Sequence, residues 1–143
     1  MAEPRTALET ALRALRVRDL SIRELEQRLR ARGFSESERD EAIETLVRTG
    51  LLDDGRFAEG RAISLAGRGA GDALIRHTLE IAGVASELID RALEAVEPEG
   101  ERARHIVERR GHGVKTARYL SGKGFSEEVV AGVVAIWRRD ELG

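Results

Sequence analysis

The sequence contains no cysteine, so neither a disulfide framework nor a thiolate zinc site is available to hold it together. Aromatic residues make up only 3% of its 143 positions, too few for a sheet protein built on aromatic and β-branched strands. Lysine is almost missing: Lys115 and Lys123 are the only two, and the remaining positive charge is arginine. No apolar run approaches the roughly 18 residues of a membrane-spanning helix. The opening M-A-E-P-R-T carries no signal-peptide core. No alternating run is long enough for a strand. There is also no Ser-His-Asp set, no cysteine nucleophile and no nucleotide fingerprint. His77, His105 and His112 lack metal-ligand spacing and read as surface or boundary residues. These absences predict an all-α, cytoplasmic protein that is not an enzyme, with no cofactor, no metal and no membrane association.

What is present is charge and repetition. Charged residues make up 35% of the chain, yet the net charge is only −2. Residues 1–50 carry ten basic and ten acidic side chains, residues 51–97 five and nine, and residues 98–143 nine and seven. Arginine-rich ends therefore flank a more acidic middle, and screening over about 10 Å at moderate salt leaves such local fields intact.

One helical phrase is written three times. It runs S-I-R-E-L-E-Q-R-L-R-A-R-G-F-S from Ser21, G-D-A-L-I-R-H-T-L-E-I-A-G-V-A from Gly71, and H-G-V-K-T-A-R-Y-L-S-G-K-G-F-S from His112. Superimposing Gly33, Gly83 and Gly124 brings Leu29, Leu79 and Leu120 together, and an apolar Phe34, Val84 or Phe125 follows each glycine. The register continues through Ala42, Ala92 and Val133 to Leu46, Val96 and Trp137, which places Trp137 in the core. Tandem phrases at this spacing predict stacked units that share a core across their boundaries.

Each unit reads as three helices, giving boundaries at residues 1–50, 51–97 and 98–143 and an elongated array, straight or curved. Stripes at Leu8, Leu12 and Leu15, at Ile22, Leu25 and Leu29, and at Ala42, Ile43 and Leu46 have the helical period. Ser21 with Glu24, and Ser35 with Glu38, are S-x-x-E capping boxes. Gly33 is expected at positive φ at a helix end. The later helices are expected at about Asp54–Ala66, Asp72–Ala82, Ser86–Val96, Glu101–Arg110, Val114–Lys123 and Glu127–Asp140. The glycine-rich 67–71 segment reads as an interhelical turn rather than a phosphate loop, since a helix precedes it and no G-K-[ST] follows.

The most distinctive local string is G-L-L-D-D-G-R-F-A at residues 50–58. Its carboxylates suit a helix N-terminus, where they are favourable by about 0.3–1 kcal/mol; contact with a partner is the alternative. In the third unit Arg102, Arg104, Arg109, Arg110, Lys115, Arg118 and Lys123 span two helices with few acids between them. Residues from Arg104 to Arg118 are expected to collect on one side, where they attract phosphate or an acidic surface; a plain solvated face is the alternative.

The 50–58 string, followed by Ile75, Leu79 and Gly83 and preceded by Ser21, Glu24, Leu25, Leu29 and Gly33, resembles the RecX family of regulatory proteins over nearly the whole chain. The terminal helices are polar enough for a monomer, and the resemblance implies a curved array of three-helix repeats lodged in the groove of the RecA–DNA filament. There it would lower ATP hydrolysis and strand exchange and promote disassembly. It also implies RecA as partner, with DNA met directly or through the filament. Asp53, Asp54, Arg56, Arg61, Arg68, Arg104, Arg109, Arg110, Lys115, Arg118 and Lys123 are the partner-contacting candidates. The family often carries several basic residues at the second unit's glycine turn; here Arg68 stands alone beside Asp72, which moves the expected contact to the outer units. A direct nucleic-acid-binding module and a helical protein–protein adaptor are the competing functions.

Overall fold

Thr6, Ser21 and Ser35 each stand three residues ahead of a glutamate, and each opens a helix. In the computed structural model, which describes the backbone of residues 5–142 and the side chains of residues 5–135, these are α1 (Ala7–Val17), α2 (Ile22–Ala31) and α3 (Glu36–Arg48). In every case the hydroxyl accepts the glutamate's N–H, while the glutamate carboxylate accepts the cap residue's N–H. The chain continues as α4 (Asp54–Gly67), α5 (Asp72–Ile81), α6 (Ser86–Ala95), α7 (Glu99–Arg110), α8 (Val114–Gly122) and α9 (Glu127–Leu142). Among the described residues there is no strand. None of their helices is long and apolar enough to cross a membrane. Helix α7 starts two residues earlier than its sequence pattern indicates. Pro98 caps it at φ −51, a conformation proline already holds, and the helix runs on through Gly100.

The repeated leucine-to-glycine phrase is a helix-stop device. Gly33, Gly83 and Gly124 take φ of +88, +82 and +87. The following amides of Phe34, Val84 and Phe125 donate back to the carbonyls of Leu29, Leu79 and Leu120 at 3.0–3.2 Å. Each glycine's own N–H reaches the carbonyl three residues earlier. This is the Schellman arrangement, in which an apolar residue after the glycine packs near the residue five before it. The leucines are fully buried, Val84 and Phe125 are buried, and Phe34 packs half-buried against the first core. Burying each such leucine contributes about 1.5–3 kcal/mol.

Among the described residues three apolar clusters result, centred on Leu25, Leu29 and Leu46, on Ile75, Leu79 and Ile89, and on Ile106, Leu120 and Phe125. Leu52 lies in the first of them, so that core borrows a residue from the start of the next helical group. Trp137 lies outside the described side chains. The exposed surface is 9379 Å² for a 15.8 kDa chain. A compact monomer of this mass exposes about 7,300 Å², so the array is drawn out.

The clusters are joined by one contact made twice, between the second helices of adjacent units. At the first junction the buried Ser21 hydroxyl donates to the Ala82 carbonyl at 2.6 Å, and Asp54 accepts the Ile22 N–H at 2.8 Å. At the second, Gly71 N–H donates to the Lys123 carbonyl at 2.8 Å, Ala73 N–H reaches Gly124 at 3.2 Å, and Glu99 accepts the Asp72 N–H at 2.7 Å. The head of α2 thus meets the tail of α5, and the head of α5 meets the tail of α8. The first residue of the next unit's leading helix supplies the carboxylate each time. At both junctions a head-end N–H that the helix leaves unpaired is satisfied by a carboxylate at the positive end of the dipole. At the second junction two more are satisfied by carbonyls of the next unit. Arg102 locks the second junction: it is 7% exposed, donates to the Glu97 and Ala70 carbonyls at 2.8 and 3.0 Å, and lies 3.0 Å from the Asp72 carboxylate.

Backbone approaches at Gly71 closely enough that a Cβ there would lie 2.4 Å from the carbonyl carbon of Gly124 and the nitrogen of Phe125. Gly71→Ala is therefore expected to destabilise by more than about 2 kcal/mol through overpacking. Gly60→Ala, inside α4 with open space around it, should stabilise by about 0.5–1 kcal/mol. Urea unfolding of the two variants measures both; equal effects would mean that the Gly71 contact does not constrain the junction.

Candidate partner-binding surface

Most residues of the 50–58 string have a structural place around the start of α4. Leu52 fills the first core, and its N–H donates to the Leu46 carbonyl at 3.1 Å. Asp53 is the α4 cap, accepting the Arg56 N–H at 3.1 Å. Asp54 crosses to α2. The Arg56 guanidinium donates to the carbonyls of Gly50 and Leu51 at 3.0 and 3.1 Å, satisfying oxygens of the turn between α3 and α4. Phe57 and Ala58 are buried in the second core, and Arg61 lies over the Phe57 ring at 5.5 Å from its centroid. Of these, Asp54 departs from ordinary carboxylate behaviour. Burial raises its pKa against the opposing hydrogen bond from Ile22, and the nearby charges of Asp53 and Glu24 raise it further.

The basic residues divide by position. Arg68 is exposed at the glycine turn and donates to the Ser64 hydroxyl at 2.8 Å. Arg102, grouped by sequence with the third-unit patch, is buried in the junction and is not available to it. The half-buried Lys123 lies against the junction too, and its Cε would be 3.7 Å from a Cβ at Gly69. Arg110 stacks on Tyr119, 3.5 Å from the ring centroid, which ties α7 to α8. Arg104 is exposed and paired with Glu101 at 3.2 Å. Lys115 and Arg118 are exposed on α8. Arg109 turns toward unit two, lining a cleft of about 370 Å³ whose other walls include Ile63, Ala66, Val96, His105 and Ile106. Arg104 and Arg109, five residues apart on α7, point about 140° apart around the axis, so the α7 arginines do not form a single face.

His105 Nε2 donates to the Glu97 carboxylate at 2.8 Å, and that carboxylate raises its pKa above the ordinary 6.5, with Glu108 adding to the effect. Positive charge at the cleft mouth therefore persists above pH 6.5. Sequence reading missed Glu99 and the junction role of Arg102. The signal for Glu99 was an acidic residue at the first helical position after Pro98, as Asp54 follows Asp53. Unequal first helices and turns put the two out of step in the repeat alignment.

A carboxyl held above its ordinary pKa stabilises most at low pH, and this contribution is lost as pH rises from 3.8 through the folded-state value. At neutral pH, Asp54→Asn keeps an acceptor for the Ile22 N–H without the charge that burial penalises, so it should equal or exceed the wild type in stability. Asp54→Ala leaves that N–H unpaired and should lose about 1 kcal/mol. Urea titrations at neutral pH separate the two, and an alanine variant as stable as the asparagine one would remove the cap from the account.

Comparison with known proteins agrees with this architecture. Residues 7–46 match the family model for the first three-helix domain of RecX. The regulatory protein RecX of Halorhodospira halophila is 38% identical over 146 aligned positions, covering 94% of this chain and 91% of that protein. The regulatory protein RecX of Trichlorobacter lovleyi is 31% identical, covering 90% and 93%. The crystal structure of RecX from Lactobacillus salivarius superimposes with a TM-score of 0.75 over 90% of this chain and 92% of that one, at 22% identity, which speaks to the fold alone. A shared helical array, a matching first unit and identity sustained across nearly the full length leave one assignment: this chain belongs to the RecX family of regulatory proteins.

Proposed function

We propose that the protein is a non-enzymatic regulator that binds the RecA–DNA filament, lowers its ATPase and strand-exchange activity and so tunes recombination and DNA repair in the cytoplasm. Membership of the RecX family is the observation that carries this reading. The units at residues 1–50, 51–97 and 98–143 act as three linked contact modules, and the drawn-out array suits engagement of more than one RecA protomer. Linked contacts raise affinity through effective concentration without any new chemistry. Arg104, Arg109, Lys115 and Arg118 are exposed on α7 and α8, and such cations steer association and form salt-sensitive contacts with acidic or phosphate surfaces. Asp53, Asp54 and Arg56 act indirectly, by holding units one and two in register. Inhibition follows when the bound array holds protomers apart or blocks strand entry.

The test is the RecA ATPase rate on single-stranded DNA with this protein titrated in at substoichiometric amounts. A dose-dependent fall is expected, absent with an unrelated helical protein of similar charge. The combined Arg104→Glu, Arg109→Glu and Lys115→Glu variant should need at least about tenfold more protein for the same inhibition, a loss of about 1.4 kcal/mol, with unchanged thermal unfolding. Unchanged inhibition by that variant would move the contact off the third unit, and no inhibition by the wild type would refute the regulator.

A further inference from the structure

We infer that the groove between α1 and α2 is a binding channel for the phosphodiester backbone of single-stranded nucleic acid, separate from the third-unit surface and independent of any RecA contact. The groove has a volume of about 520 Å³ and is lined by Arg5, Arg13, Arg28 and Arg32, with Ala14, Val17 and Ala31 as its solvent-reaching apolar lining above the fully buried Leu25 and Leu29. Among the described residues no acidic side chain lines it.

Sequence alone shows the arginines of α2 interleaved with glutamates, the pattern of a self-neutralised face. The structure separates the two. Glu9 closes the capping box of α1. Glu24 closes that of α2 and lies 4.0 Å from Arg18. Glu26 accepts from Arg30 at 3.1 Å and from Arg39 at 3.0 Å. The acids of both helices are thus committed to cap hydrogen bonds and to arginines outside the groove. Arg5, Arg13, Arg28 and Arg32 have no carboxylate partner among the described residues and are exposed.

Four like charges lining one groove repel one another, and an anion of repeating charge relieves that repulsion. A guanidinium takes two phosphate oxygens at once through its planar fork. Arg28 on α2 and Arg32 at its C-cap are one helical turn apart, and Arg13 stands on α1 across the groove. The cations are therefore spread along a channel and do not cluster at a point, which suits a strand over an isolated phosphate. The apolar surface of Ala14, Val17 and Ala31 accepts base faces, which a single strand exposes and a duplex keeps stacked inside.

The experiment is fluorescence anisotropy of a short fluorescein-labelled oligothymidylate with the full chain, without RecA, across a salt series. The variant combines Arg13→Gln, Arg28→Gln and Arg32→Gln. Its charge-matched control combines Arg16→Gln, Arg48→Gln and Arg91→Gln, all exposed and outside the groove. Circular dichroism melts establish that both remain folded. The groove variant should lose about two units of the slope of log affinity against log salt, three contacts at about 0.7 each, and about 100-fold in affinity near 0.1 M salt. The control should keep most of its slope. Equal losses in both variants, an unchanged slope in the groove variant, or no wild-type binding at low salt would each overturn the assignment. So would reduced RecA inhibition with unchanged oligonucleotide affinity, which would give the groove to an acidic protein surface.

Discussion

The head of one second helix lying on the tail of the next is the contact on which the rest of this structure depends. A three-helix unit of some 45 residues is too small to bury enough apolar surface on its own. Stability must therefore come from its neighbours, and the neighbours meet through polar groups that would be costly to leave open. Gly71, Asp72 and Ala73 each place an N–H on a partner from the third unit, at 2.7–3.2 Å. Ser21 and Ile22 do the equivalent toward the second with a hydroxyl and an amide. Each junction satisfies a helix start and a helix end together, so neither can be loosened without exposing both.

This requirement explains where charge is and is not free to act. Asp54, Glu99, Arg56 and Arg102 are consumed in fixing one unit against another, which is why the most conspicuous motif of the sequence supplies geometry rather than an open cluster of charge. Free cations remain on the outer units: Lys115 and Arg118 on α8, and the α1–α2 arginines. The array is held in register by its middle and presents cations at both ends.

Much of this was legible in the sequence because it is local physics. The capping boxes at Ser21 and Ser35, the positive φ at Gly33 and the leucine stripes follow from hydrogen-bond and steric rules that act within one turn of helix. The glycine-rich 67–71 segment proved to be the turn expected of it, with Gly69 at φ +90. The junctions were not legible. Ser21 reads as a cap and is one, yet the same hydroxyl also donates across 61 residues to Ala82. Arg102 reads as one of a run of surface cations, but its burial depends on carbonyls at Ala70 and Glu97 that only the assembled fold presents. The α2 glutamates look like partners for every nearby arginine, and which ones they choose is settled by packing.

Amide hydrogen exchange measures the junction most directly. Gly71, Asp72 and Ala73 are at the start of α5, where N–H groups of an isolated helix exchange freely. Val114 and Lys115 hold the comparable place on α8, whose cap makes no side-chain hydrogen bond. Docked junctions predict that the α5 amides are protected to nearly the extent of buried Leu79 while those of Val114 and Lys115 exchange quickly. Equally fast exchange at both helix starts would contradict the account, because the units would then be strung together rather than locked.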